Sequence, residues 1–239
     1  MKRIALAALA AGCLATDAAA QDAVAEARDS IVSDLLSGDR GRVNASLGHL
    51  PMFAYDTPFP DGYVTVELVE ALVAALEHEL WLHKESTLDP YLELILGLLE
   101  AVAATRHPLT IDVLTRMAWV GRTDALLHFG PGVLPGAAAL AVSPEATPDE
   151  AEGAMRVLWF ALKRWGPGQL GAEAHDAIKG AAILHLEGPP DHFASTAEFL
   201  GSRFDKAVEI ARLLGDPELT AVARKARHPT TGEPGIPPP

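Results

Sequence analysis

The spacing of apolar residues constrains this chain most strongly, because nearly every segment repeats them every three or four positions. Two such runs are Val69, Leu72, Leu76, Leu80 and Leu92, Ile95, Leu99, Val102. This interval matches the turn of an α-helix and puts the apolar side chains on one face, whereas a half-buried β-strand alternates them. Alternating runs of Val, Ile and Tyr are absent from the sequence. The pattern therefore predicts an all-α protein.

Several helix starts carry a recognisable capping sequence. Asp89 and Asp216 each precede a proline, which is favoured at the first helical position because its missing N–H is not needed there. Thr147 precedes Pro148 and is followed three residues later by Glu150, which is the pattern of a capping box. We therefore predict that helices begin at these three prolines.

The predicted helices fall into pairs that recur at a nearly constant interval. The first helices of the pairs begin near residues 22, 64, 108, 148 and 191, so successive pairs are about 40 to 44 residues apart. The second helices begin near residues 40, 89, 122 to 133, 171 and 202 to 217. Glycine and proline between residues 130 and 136 interrupt the third pair, where we predict a broken helix.

This period resembles that of the HEAT and armadillo-like repeats, whose helix pairs recur about every 40 to 47 residues. The resemblance covers most of residues 22–227. It implies a right-handed α-solenoid of about five stacked helix pairs, which works as a binding scaffold with a protein or peptide in its groove. A compact, irregular helical bundle is the structural alternative. Residues 21–227 are the predicted repeat domain, and the proline-rich tail 228–239 is predicted to be disordered.

The first twenty residues have the parts of a cleavable secretory signal. Lys2 and Arg3 give a positive start, residues 4–14 are apolar and uncharged, and small residues precede Gln21. We therefore predict a signal peptide over residues 1–20 and a periplasmic or secreted protein from a bacterium. The apolar stretch is shorter than the roughly 20 residues that cross a bilayer, so no transmembrane span is predicted.

Cys13 supports an alternative destination. Residues 9–13 resemble a bacterial lipobox, whose cysteine is lipidated and becomes the new N-terminus, although Ala10 stands where that pattern prefers Leu, Val or Ile. Lipidation of Cys13 would make the chain a lipid-anchored assembly factor of the envelope. We predict association with a membrane only if Cys13 is lipidated. Cys13 is also the only cysteine, so the mature domain forms no internal disulfide.

The charge of the chain limits the classes of partner. Removing residues 1–20 leaves 17 basic and 31 acidic residues, a formal charge of −14. Such a field repels phosphate backbones and anionic lipids, which argues against nucleic acid as a partner. Cations and basic proteins remain compatible with it.

Motifs for cofactors and metals are incomplete in this sequence. His78 and His83 are five residues apart, whereas the zinc motif His-Glu-x-x-His needs a separation of four to put both rings on one helical face. The glycine run at 130–136 has Pro135 where a dinucleotide fingerprint needs its third glycine. We therefore predict no cofactor, no metal and no catalytic residue.

Six residues are candidates for binding. Three lie beside the interrupted third pair, one is a tryptophan at a helix end, and two share a helical face; they are Arg122, Asp124, His128, Trp165, His175 and Lys179. A break in a regular repeat often lies next to a binding region, and a tryptophan near a helix end can anchor a partner. The other tryptophans, Trp81, Trp119 and Trp159, are interpreted as packing residues.

An enzyme is the alternative to a binding scaffold. A helical hydrolase or lyase acting on envelope polymers would use acidic residues such as Glu93, Glu100 or Asp124. That reaction needs two carboxylates that converge on one cavity. The arrangement of the acidic side chains therefore discriminates between the two hypotheses.

Overall fold

The structure is a computed structural model that describes residues 18–51, 58–85, 92–118, 123–188 and 197–237. Within these ranges the chain forms eleven α-helices: α1 Ala18–Leu35, α2 Arg40–Leu47, α3 Val66–Glu85, α4 Leu92–Thr105, α5 Ile111–Arg116, α6 Thr123–Leu127, α7 Leu134–Val142, α8 Pro148–Trp165, α9 Ala172–Glu187, α10 Ala197–Leu214 and α11 Pro217–Lys225. Short 3-10 turns lie at Pro108–Thr110, Pro131–Val133 and Pro167–Gln169. The described ranges contain helices and no strand beyond one isolated bridge, which confirms the prediction of an all-α fold.

Two of the predicted helix starts have the expected hydrogen bonds. The Thr147 hydroxyl accepts a bond from the Glu150 N–H, and the Glu150 carboxylate accepts one from the Thr147 N–H at 2.8 Å. The Asp216 carboxylate accepts a bond of 2.9 Å from the Leu219 N–H at the start of α11. Asp89 lies outside the described residues. Local capping chemistry thus fixes where α8 and α11 begin.

The third pair is broken where glycine and proline interrupt it. Helix α6 spans five residues and is followed by the 3-10 turn Pro131–Val133, after which α7 begins at Leu134. Gly130 has a φ of 74°, a left-handed conformation that favours glycine. The predicted break is confirmed.

The N-terminal unit, residues 1–113, packs its described helices around leucine-rich faces. Helix α1 contacts α2 and α3, α3 contacts α4, and α2 contacts α4. The fully buried side chains include Leu68, Leu72, Leu76, Ile95, Leu98 and Leu99. The apolar periodicity that predicted these helices therefore marks the face that forms the core.

The C-terminal unit, residues 114–239, has a core rich in alanine as well as leucine. Helix α7 contacts α8 and α9, α8 contacts α10, and α9 contacts α10 and α11. Small side chains such as Ala151, Ala154 and Ala161 are fully buried on α8. Alanines on one face let neighbouring helices approach closely.

The C-terminal segment, residues 228–237, forms contacts of its own. The His228 N–H donates to the Glu233 carbonyl at 2.8 Å, and the Ile236 N–H donates to the Ala223 carbonyl at 3.2 Å. The His228 ring lies edge-on to Phe204 with centroids 5.3 Å apart. Residues 228–237 thus contact α10 and α11 through positions that are distant in sequence, and the disorder of the tail 228–239 stays a prediction.

The helices pack against their neighbours in a manner compatible with a helical repeat. No described helix is both long and apolar enough to cross a membrane. The predicted signal peptide and the lipobox cysteine Cys13 lie outside the described residues, except that α1 begins at Ala18. Their boundaries remain predictions.

Candidate functional site

Two parallel helices of the C-terminal unit, α8 and α10, form an open groove of about 500 Å³. We call it the α8/α10 groove. Its lining residues recur at helical spacing on each side: Arg156, Trp159 and Phe160 come from α8, and Ser202, Asp205, Lys206 and Glu209 come from α10. Intervals of three and four residues put these side chains on one face of each helix. The helices run in the same direction, since Glu152 contacts residues 202 and 206 and Trp159 contacts residue 209.

One end of the groove is closed by a buried ionic cluster. Glu152 is 3% exposed, and its Oε1 accepts hydrogen bonds from the Ser202 hydroxyl at 2.9 Å and from the Lys206 ammonium. The same ammonium donates to the Ser202 oxygen at 2.6 Å, and Arg156 lies 3.8 Å from Glu152. These partners offset the cost of burying the Glu152 carboxylate. The cluster therefore fixes the position of α8 along α10.

Arg203 adds a second buried charge next to this cluster. It is 1% exposed, and burial lowers the pKa of its guanidinium. The carboxylates of Glu152 and Asp149 oppose that effect and raise the pKa. Arginine keeps its proton in proteins, so Arg203 is a fixed cation beside the Glu152 carboxylate.

The other end of the groove presents aromatic side chains. The Trp159 indole N–H donates to Glu209, and the Lys163 ammonium lies 3.8 Å from the centre of the Trp159 ring. The Phe160 ring meets Trp159 edge-on at 4.7 Å and is 40% exposed. Aromatic rings held rigidly at the surface, with charged residues around them, are typical anchors for protein partners.

Ser202 and Lys206 of the buried cluster resemble the catalytic serine–lysine pair of some hydrolases, but their contacts favour a structural role. A nucleophilic serine must give its proton to a neighbouring base. Here the Lys206 ammonium is ion-paired with Glu152 and donates to the Ser202 oxygen. A lysine that is committed as a donor in this way cannot accept the hydroxyl proton.

The residues predicted from the sequence lie elsewhere in the fold. Asp124 is exposed on α6 and His128 is exposed just after it, while Trp165 is partly exposed at the last position of α8. Arg122 and Cys13 lie outside the described residues. The α8/α10 groove is built from other side chains.

His175 and Lys179 lie on α9, one turn apart, as the spacing predicts. Lys179 donates to Asp216 at 3.1 Å and contacts Glu218 at 2.7 Å, so it connects α9 to the first turn of α11. The Glu218 and Asp216 carboxylates raise the pKa of Lys179. His175 Nδ1 lies 3.4 Å from Asp176. Lys179 thus joins two helices, and its role in binding stays a prediction.

The sequence interpretation missed the groove because its side chains looked like ordinary helix-surface residues. The sequence signal of the groove is a row of charged and aromatic residues that recurs every three or four positions along α8. The row consists of Glu152, Arg156, Trp159 and Lys163. The sequence pattern indicates packing for Trp81 and Trp159, yet Trp81 is 58% exposed and Trp159 lines the groove.

The enzyme hypothesis names two acidic residues on α4. Glu93 is exposed and Glu100 is partly buried, two helical turns further along. The described residues also contain no group of three or more His, Cys, Asp or Glu side chains that could hold a metal.

Comparisons with known proteins give no relative: no family model, no curated protein and no solved structure matches this chain.

Proposed function

We propose that this chain is an exported, protein-binding scaffold or adaptor of the bacterial cell envelope, and that a protein or peptide partner docks in the α8/α10 groove. The observation that supports the proposal is the Trp159–Phe160 pair, which is held in place by Glu209 and Lys163 while Phe160 stays 40% exposed. A rigid aromatic anchor loses little conformational entropy when it binds.

We also propose that the helix pairs stack as a solenoid within each unit. In a stack of pairs, first helices pack on first helices and second helices pack on second helices. First helices contact each other where α1 meets α3 and where α8 meets α10. Second helices contact each other where α2 meets α4, α7 meets α9 and α9 meets α11. In that architecture the α8/α10 groove lies on the surface formed by the first helices.

The chemistry of the groove suits a partner segment with an apolar side chain flanked by basic residues. Asp205 and Glu209 line its rim, and the Asp205 side chain is 71% exposed. The formal charge of −14 for residues 21–239 adds a long-range attraction for basic proteins.

Affinity purification from the envelope fraction tests this proposal. The tagged full-length chain is compared with Phe160→Ser, and Leu109→Ser serves as the matched control because Leu109 is 51% exposed and lies in the N-terminal unit. A partner that docks in the groove should be retained by wild type and by Leu109→Ser and lost with Phe160→Ser.

Equal recovery of every co-purifying protein with all three chains would contradict the groove proposal. Mass spectrometry of the same samples gives the mature N-terminus. A terminus at Gln21 supports the soluble exported form, and a lipidated Cys13 supports the anchored assembly factor. An uncleaved Met1 would contradict export through this signal.

A further inference from the structure

A second cavity, of about 300 Å³, lies in the N-terminal unit where the end of α1 and the helix α2 meet the middle of α3. Its walls are mainly aliphatic and include Leu35, Leu36, Val43 and Ala75, while Ser37, His78 and Glu79 supply its polar side chains. We call it the Glu79 pocket. Its volume is at the lower end of the range for small-molecule sites, so it fits a side chain or a ligand of that size.

Glu79 has too few hydrogen-bond donors for a buried carboxylate. Its side chain is 3% exposed, and Arg40 Nε donates to Oε1 at 3.1 Å. The same nitrogen lies 2.9 Å from Oε2, but an Nε carries one hydrogen, and Oε2 has no hydrogen bond of its own. A carboxylate has about four acceptor positions. Oε2 is thus buried and ion-paired with Arg40 but accepts no hydrogen bond, which makes it an unsatisfied acceptor on the wall of an apolar pocket.

Two exposed apolar side chains lie at or beside the pocket: Leu36 lines it, and Trp81 contacts His78, which lines it. Leu36 is 60% exposed and Trp81 is 58% exposed. The His78 ring stacks on Trp81 with centroids 6.4 Å apart. An exposed indole attracts cations over its face, and aliphatic groups pack against its edge.

The charge of the N-terminal unit favours a cationic ligand. Residues 21–113 contain sixteen acidic and five basic residues, a formal charge of −11, whereas residues 114–239 contain fifteen acidic and twelve basic residues, a charge of −3. Most of the negative field of the mature chain therefore belongs to the unit that contains the Glu79 pocket.

We infer that the Glu79 pocket binds a primary alkylammonium group. The ammonium donates to Glu79 Oε2, and the methylenes of the ligand pack between Leu35, Val43 and Ala75. A metal ion does not fit, because the described residues offer no group of three ligands there. An anionic ligand is repelled by Glu79, and a neutral alcohol lacks the charge-assisted hydrogen bond.

Binding of n-butylammonium, followed by two-dimensional NMR of the folded full chain, tests this inference. Butan-1-ol is the neutral probe with the same carbon chain. Glu79→Gln removes the charge, and Ala74→Phe fills the pocket from an exposed position of its wall. Glu70→Gln is the matched control because Glu70 is exposed on the same helix and does not line the pocket.

We expect wild type and Glu70→Gln to bind n-butylammonium at least about tenfold more tightly than butan-1-ol. Glu79→Gln and Ala74→Phe should each weaken n-butylammonium binding by about tenfold or more. Equal binding of the alcohol and the ammonium, or unchanged binding by Ala74→Phe, would overturn the inference. Ala74→Phe keeps the test valid even if Glu79→Gln unfolds the unit.

Two further probes identify the source of the ammonium. A free diamine is represented by 1,5-diaminopentane, and a lysine side chain of a protein is represented by Nα-acetyl-lysine N-methylamide. Tighter binding of either probe supports the inference and names its source. The inference does not depend on the α8/α10 groove, so Phe160→Ser should bind all these probes as wild type does.

Discussion

At the scale of single residues, His185 is a buried histidine that the fold keeps neutral. It is 2% exposed, and its Nε2 lies 2.8 Å from the Ala141 carbonyl, which fixes the ring proton on that nitrogen. The pKa of His185 is lowered from 6.5 to about 4: burial is the main cause, the bond to Ala141 partly opposes it, and the Arg203 cation adds to the lowering. The neutral ring joins α9 to α7 through this bond, and the cost of burying a charged ring keeps it neutral.

This low pKa predicts a loss of stability in mild acid. Between pH 6.5 and pH 4 the unfolded chain binds a proton at His185 that the folded chain does not, so the free energy of unfolding falls as the pH falls through this window. The loss between pH 7.5 and pH 5 is about 2 kcal/mol. Urea unfolding at both pH values, with His185→Gln as the comparison, measures it. An equal pH dependence in the two chains would show that His185 is not the cause.

The buried cluster around Glu152 predicts a large loss of stability when its carboxylate is removed. Glu152→Ala leaves Arg203 and Lys206 as cations without this anion, and breaking such a buried pair costs about 3 to 5 kcal/mol. Glu145→Ala, at an exposed position, is the matched control and should change stability by less than about 0.5 kcal/mol. Chemical unfolding followed by circular dichroism compares them, and similar midpoints for both variants would argue against a buried cluster.

At the scale of elements, the capping box of α8 makes a separate prediction. Thr147→Ala removes the acceptor of the Glu150 N–H and should cost about 1 kcal/mol, whereas Thr147→Ser keeps a hydroxyl and should cost much less. The free energies of unfolding of the two variants give the measurement. Equal losses would mean that the methyl group, and not the hydrogen bond, is what matters at this position.

The ordered C-terminal segment depends on Gly235. A Cβ at this position would lie 2.8 Å from both the Ala223 carbonyl oxygen and Val208 Cγ2, so Gly235→Ala should displace the segment. We expect faster hydrogen exchange at residues 228–237, with α8 unchanged. Gly180→Ala is the matched control, because its Cβ meets nothing within 4 Å. Unchanged exchange in Gly235→Ala would mean that the segment is not packed as described.

How much could be predicted from the sequence depends on how local the determining contacts are. The starts of α8 and α11 were predictable because Thr147 and Asp216 bond to residues three positions away. The groove was not, since Trp159 and Glu209, like Glu152 and Ser202, are separated by 50 residues. A helical pattern shows which face of a helix is apolar, but it does not show which other helix that face meets.

At the scale of the whole molecule, the two units differ in charge while sharing one fold class. The helices of both were predictable from apolar periodicity, and the formal charges of −11 for residues 21–113 and −3 for residues 114–239 follow from composition alone. The site residues were harder to predict, because an exposed tryptophan such as Trp81 occurs in the same helical sequence pattern as a buried tryptophan. Such a division suits a scaffold whose units take ligands of different chemistry, an ammonium group in one and an aromatic-anchored segment in the other.

Photocrosslinking from the groove tests the proposed scaffold function most directly. The photoreactive phenylalanine analogue p-benzoylphenylalanine replaces Phe160 in cells of a bacterium that exports the chain, and the control carries it at Leu109, which is 51% exposed. We predict an adduct with a partner protein, dependent on light, at position 160 and not at position 109. The absence of an adduct at 160, or the same adducts at both positions, would contradict a partner in the α8/α10 groove.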